Sequence, residues 1–280
     1  MTLPRRFPRR WNIRDAERIA ETFSSRIWKV TREDGSLAVV KALKPFDDVE
    51  DELRGAYYLD WRDGHGAVRL LGRDRMDMLL EYAGARHLTS IINSDGDAAA
   101  TEIAAEAMAR LHAPSRRRVP GALQPLRERF SLLFHKARSD AAARTNSPYV
   151  EAAAMAERLL ADPRGVRPLH GDLHHDNIME GQRGWLAIDP KGVLGDCGFD
   201  AANLFYNPLD RDDLCMAPDR IAHMAAVFSR GMGHDPRRLM DHAVAYGALS
   251  AAWHAQDGNV ADERRELAVA SAIRAVRVSS

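Results

Sequence analysis

The chain has 280 residues, 45% of them hydrophobic and 29% charged, enough to bury a substantial core as one large domain or two lobes. Forty basic and forty acidic residues cancel, which removes any global drive toward nucleic acid or an anionic membrane, and no apolar run nears the roughly 20 residues that span a bilayer. Two cysteines, Cys197 and Cys215, are too few for a disulfide framework and lack zinc-site spacing, as expected of a cytoplasmic protein.

Residues 1–11 are rich in Arg and Pro and carry no apolar segment, which excludes a secretory signal and predicts an exposed leader. Over 12–22, Ile13, Ala16, Ile19 and Ala20 recur at helical spacing with Asp15 and Glu17 at the start, predicting a short amphipathic helix. The β-rich runs 24–30 and 36–43 flank the turn signal Glu33-Asp34-Gly35-Ser36 and predict a hairpin. A helix follows over 47–63. Residues 67–72 and 77–82 predict two more strands, and Ala83-Gly84-Ala85 after them is a small-residue break suited to a hinge.

From Asp95 the pattern turns helical. Ala-rich residues 97–112 form a strong helix that Pro114 ends, and Arg116-Arg117-Arg118 reads as a solvated basic loop. Helices are predicted over 126–145 and 148–160, and later over 217–232, 237–256 and 262–277. A small antiparallel sheet thus gives way to a larger, mostly helical portion. The fold class is α+β and bilobal, with lobes at 1–83 and 84–280 and the hinge near 81–85.

The chemistry concentrates between these helices. Leu169-His170-Gly171-Asp172-Leu173-His174-His175-Asp176-Asn177-Ile178 is followed by Trp185-Leu186-Ala187-Ile188-Asp189-Pro190. Asp172 and Asn177 lie too far apart for neighbouring positions on one helix face, and Gly171 argues for a loop that lets both converge. Two strand-like runs, 177–180 and 185–188, flank the turn Gly181-Gln182-Arg183-Gly184, and the hairpin they make returns Asp189 beside Asn177. That is the pattern of phosphoryl transfer: Asp172 takes the acceptor hydroxyl's proton, while the Asn177 amide and the Asp189 carboxylate, hard oxygen ligands, hold Mg²⁺. Upstream, Lys41 on the second predicted strand is positioned to touch nucleotide phosphates, with Glu52, one turn into the next helix, as its partner; Glu50 and Asp51 stand close enough to compete. Adenine would meet backbone groups near Glu81, Tyr82 and Ala83. The histidines and Asp172 could instead form a metal cluster, but His174 and His175 are adjacent and no further ligand has zinc spacing. There is no P-loop and no G-x-S-x-G elbow.

His170, Asp172, Asn177, Ile188 and Asp189 together resemble the H-x-D-x-x-x-x-N and Ile-Asp motifs of the aminoglycoside phosphotransferase and choline kinase superfamily. His174-His175 and Asp189-Pro190-Lys191-Gly192 resemble its streptomycin 6-kinase branch, the aminoglycoside/hydroxyurea antibiotic resistance kinases. The resemblance implies a protein-kinase-like fold, ATP and Mg²⁺ as cofactors, and a small-molecule substrate: a hydroxyl of streptomycin or a related aminoglycoside. It implies Asp172 as catalytic base, Asn177 and Asp189 as metal ligands, Lys41 as phosphate-binding lysine, and Asp200 as a carboxylate bracing the catalytic loop. The sequence departs from protein kinases in two places. Ser24-Ser25 stands where a Gly-rich loop would be, and Pro190 follows Asp189, so no activation switch is implied. For a polycationic acceptor the candidate acids are Asp210, Asp212, Asp213, Asp257, Asp262 and Glu263. The alternatives are a metabolic kinase for a sugar, amino alcohol or homoserine-like acceptor, and a non-catalytic nucleotide-binding module.

Overall fold

The structure, a computed structural model, describes residues 5–45, 49–145 and 147–279. Its N-terminal part is an antiparallel sheet of β1 (Ile13–Glu21), β2 (Ser25–Arg32), β3 (Leu37–Leu43), β4 (Leu70–Asp74) and β5 (Asp77–Glu81), with α1 (Val49–Arg62) inserted after β3; the strand order is β1-β2-β3-β5-β4. Alternation along β3 gives each face its job. Ala38, Val40 and Ala42 join Trp28, Val30 and Leu79 in a small core under one face, while Val39 and Lys41 line a cleft on the other. The predicted start of the helix at Asp47 lies outside the described residues.

Residues 13–21 form a strand rather than the helix expected from their spacing. The reason is two register shifts in the β1–β2 ladder, between Ile13 and Asp15 and between Arg18 and Ala20. Each bulge adds a residue and returns the next side chain to the same face, or sends it to the opposite one. Ile13 and Ala16 therefore both reach the small core, and Ile19 and Ala20 reach the cleft. A strand interrupted by bulges reproduces the three-residue spacing of a helix.

After Glu81 the chain runs through Tyr82-Ala83-Gly84-Ala85 into β6 (Arg86–His87), α2 (Thr89–Ser94) and α3 (Asp97–Leu111). Next come β7 (Gln124–Pro125), α4 (Leu126–Arg129), α5 (Ser131–Ala142), α6 (Pro148–Ala161) and β8 (Arg167–Leu169). The single helix expected over 126–145 is thus interrupted at Phe130, which is fully buried against Phe199 and Phe134. The hairpin β9 (Ile178–Gly181) and β10 (Gly184–Ala187) pairs with β6, and β11 (Val193–Gly195) lies between β7 and β8. The chain ends in α7 (Gly198–Ala202), α8 (Asp212–Cys215), α9 (Pro218–Met232), α10 (Pro236–Gln256) and α11 (Val260–Ser279).

Helix α10 is the centre of the helical lobe. Its Ala-rich middle is buried nearly all round, because α5, α6, α7, α9 and α11 pack against it. The larger core runs without a break from α1 and β5 to Ile273 of α11, and each fully buried Leu or Ile in it contributes about 1.5–3 kcal/mol.

A carboxyl on α11 interrupts that apolar packing. Glu266 on α11 is buried, and burial pushes its pKa up to about 7, against the opposing pull of Arg265 and Ser250. The folded state therefore holds a proton that the unfolded chain has released above about pH 4.5. This contribution is fully present below that pH and is lost as pH rises toward 7 and beyond. Replacing Glu266 with Gln should raise stability relative to wild type by about 1–3 kcal/mol at pH 8, a gap that closes by pH 5 in urea denaturation. A gap independent of pH would show that the residue is ionised when folded.

Candidate active site

The cleft between the sheet and the β9–β10 hairpin has a volume of about 510 Å³. Ile27, Val39, Val68 and Leu80 form its roof, Met179 and Ile188 its floor. Four charges close one end. The Lys41 ammonium donates to Glu52 Oε2 and to Asp189 Oδ1, while Lys191 Nζ lies 2.8 Å from Glu52 Oε1 and 3.5 Å from Asp189 Oδ2. Of the three acids competing for Lys41, Glu52 is the one it meets; Asp51 turns away to Arg54 and Arg129. Lys41 and Glu52 are both buried, and each has a second partner, Asp189 for Lys41 and Lys191 for Glu52, so removing either unbalances the four charges without leaving the other wholly unpaired.

At the other end lie Glu81, Tyr82 and Ala83. Their side chains are engaged elsewhere. The Glu81 carboxylate accepts from the Arg69 amide and the Arg183 guanidinium; burial opposes the shift, but Arg183 and Arg69 hold its pKa below the usual value. The Tyr82 ring lies 5.0 Å from Lys29 Nζ, and Ala83 is buried. Backbone is what the segment offers the cleft. Gly84 sits at φ +87°, and a Cβ there would come within 2.3 Å of Glu180 O, so only glycine lets the connecting segment pass so close to the hairpin. Thr22, Ser24 and Ser25 of the β1–β2 turn border the cleft where a Gly-rich loop would stand.

The loop carrying Asp172 is held from below. Asp200 of α7 accepts the backbone N–H groups of His170 at 3.0 Å and Gly171 at 2.8 Å, and His112 Nε2 lies 2.9 Å from the same carboxylate. His170 is buried; burial lowers its pKa and keeps the ring neutral. Its Nε2–H donates to Ile188 O at 2.8 Å, and Nδ1 accepts from the Asp172 N–H at 3.3 Å, so one ring ties the loop to the hairpin. Asp172 Oδ1 accepts from Asn203 Nδ2 at 3.0 Å, and Asn203 is in turn fixed by Asn207.

Asn177 donates its amide N–H to Asp172 O at 2.9 Å, which directs its NH₂ to the loop and leaves the amide oxygen free. The Ile188 N–H bonds to Asn177 O at 2.9 Å and sets Asp189 next to it. Asp189 has φ +59°, a left-handed conformation that Asp tolerates better than most residues, with about a third of its side chain open. Burial would raise its pKa, but Lys41 and Lys191 outweigh it and keep the carboxylate ionised. One amide oxygen and one carboxylate are hard donors that fit Mg²⁺. A histidine-centred metal site has no such support. The His175 ring is buried with its pKa pushed down to about 3 by burial, and among the described residues the three potential donors that converge are Asp196, Cys197 and His234.

Most of the candidate acids for a cationic acceptor are paired with neighbours. Asp213 pairs with Arg211, Asp212 with Arg265, and Glu263 accepts from Tyr149. Asp257 lines a recess of about 370 Å³ with Asp51, Glu128 and Trp253. Asn203 and Lys191 were missed as site residues. Asn203 has a signal, since it follows Asp200 by three residues and shares its helix face; Lys191 looks in sequence like a turn lysine between Pro and Gly.

The sequence profile of the aminoglycoside/hydroxyurea antibiotic resistance kinases matches residues 10–258. A streptomycin 3''-kinase of Klebsiella pneumoniae is 41% identical over 256 residues, covering 89% of this chain and 91% of that protein. A hydroxyurea phosphotransferase of Kitasatospora aureofaciens is 33% identical over 277 residues, covering 95% and 76%. Among solved structures, an amicoumacin kinase in complex with AMP-PNP and Ca²⁺ superposes with a TM-score of 0.64 at 14% identity, over 95% of this chain and 88% of that one, a likeness of fold.

Proposed function

The chain belongs to the aminoglycoside/hydroxyurea antibiotic resistance kinase family and is a phosphotransferase with a hydroxyl acceptor, and from that premise we propose that it transfers the γ-phosphoryl group of ATP to streptomycin or a related aminoglycoside. The observation that carries the acceptor class is the recess beside Trp253. Three carboxylates line it, Asp51, Glu128 and Asp257; Arg54 and Arg129 both bind Asp51, and Glu128 and Asp257 are left to suit a polycation. Trp253 follows Tyr246 by seven residues on α10, two turns and about 10 Å along the same face, and Tyr246 lies within electrostatic reach of Asp172. A neutral recess would have favoured a metabolite.

In this reading the sheet and the segment 84–280 act as nucleotide and acceptor lobes, with Glu81-Tyr82-Ala83 offering backbone to adenine at the hinge. Lys41, held by Glu52, binds the phosphates. Asn177 and Asp189 would hold Mg²⁺, which would supply positive charge to the phosphates. Asp172, aimed by Asn203, orients the acceptor hydroxyl and takes its proton. The hydroxyl oxygen bonds to the γ-phosphorus, the bond to the β–γ bridging oxygen breaks, and ADP leaves.

The test is ADP release coupled to NADH oxidation, with streptomycin, other aminoglycosides, hydroxyurea, sugars, amino alcohols and homoserine as acceptors. Streptomycin-dependent release and a phosphorylated product are expected. Normal AMP-PNP binding without turnover of any acceptor would favour a nucleotide-binding module instead.

A further inference from the structure

The charges at the closed end of the cleft form a ring. Each oxygen of Glu52 contacts a different lysine, and so does each oxygen of Asp189. Lys191 therefore stands to these two carboxylates as Lys41 does, approached from the opposite side, and both lysines line the same cavity. The placement of Lys191 is built into the backbone. A Cβ on Gly55 of α1 would meet Pro190 O at 2.0 Å, and one on Gly192 would meet Arg54 O at 2.7 Å. Glycine at both positions clamps the Asp189–Gly192 segment onto the helix that carries Glu52.

Two ammonium groups and two carboxylates make the ring neutral when the cleft holds no nucleotide. Committing Asp189 to a divalent cation takes one carboxylate away from both lysines at once. Glu52 alone cannot neutralise two buried cations, and an unpaired buried charge is costly. A triphosphate supplies the missing negative charge at the place where both ammonium groups already point.

Resting on the kinase reading above, we infer that Lys191 is a second phosphate-binding lysine, masked by Glu52 and Asp189 in the free enzyme and turned to the phosphates when nucleotide and metal bind. Its role is to hold the terminal phosphates, as Lys41 does, not merely to brace α1.

Calorimetric binding of AMP, ADP and AMP-PNP, each with and without MgCl₂, separates these roles without any acceptor. Lys191→Met should weaken AMP-PNP with MgCl₂ by about 10- to 100-fold, the worth of one charge-assisted contact, and leave AMP within about twofold. Lys191→Arg should recover most of the loss. AMP binding also reports an intact cleft; if Lys191→Met does not fold by circular dichroism, Lys191→Gln carries the same comparison. A variant that binds AMP-PNP like the wild type, or one that loses AMP and AMP-PNP equally, overturns the inference while leaving the kinase reading standing. A wild-type chain that binds no AMP-PNP overturns both.

Discussion

Asp172→Asn is expected to lower turnover by about 100- to 10,000-fold and to leave nucleotide affinity unchanged. The substitution keeps the shape of the side chain, and an amide oxygen can still accept from Asn203 Nδ2, as Asp172 Oδ1 does at 3.0 Å. The contact from Asn177 to Asp172 goes to the main chain and survives. What is lost is the ability to take a proton. Lys41, Glu52, Asn177 and Asp189 line the cleft under the sheet, whereas Asp172 stands outside its lining, toward Tyr246. Turnover and AMP-PNP affinity measured on the same preparation decide the matter: a variant within tenfold of wild-type turnover would remove Asp172 from the role of base.

How legible each part was follows from how local its cause is. The run from His170 to Asp189 spans a loop and a hairpin, and a turn signal is enough to fold Asp189 back on Asn177. Lys41 and Glu52 were readable because strand alternation and the first turn of a helix fix where side chains point. The strand at Ile13–Glu21 was not, because bulges depend on the partner strand and leave no mark in the sequence of the bulged one. Lys191 escaped for a related reason: its contacts to Glu52 span 139 residues and exist only once α1 has docked. The acids lining the recess beside Trp253 are not grouped until the chain folds, so Asp257 could not be told in advance from Asp213 or Glu263, which salt bridges and hydrogen bonds occupy.

The brace under the loop that carries Asp172 links stability to the proposed function, and Asp200→Asn tests both. The carboxylate accepts two backbone N–H groups and contacts His112, all shielded from solvent. Burial alone would raise its pKa; the His112 hydrogen bond and charge, with the Gly171 N–H, outweigh burial and hold it below the usual aspartate value. An amide has one accepting oxygen, so its NH₂ must face a backbone N–H that then has no partner. The expected cost is about 2–5 kcal/mol at pH 7, a large share of the roughly 5–15 kcal/mol that holds such a domain together. Because the folded pKa is depressed, the wild-type advantage is fully present above the unfolded aspartate value of about 3.9 and disappears as pH falls through the folded one, so the two urea midpoints should converge in acid. Turnover should fall with stability, since the N–H group that loses its acceptor belongs to His170 or Gly171, the residues that set the direction of Asp172. A variant less than about 1 kcal/mol below wild type at pH 7, with turnover intact, would mean that the loop is held by the His170 ring and Asn203 without help from Asp200.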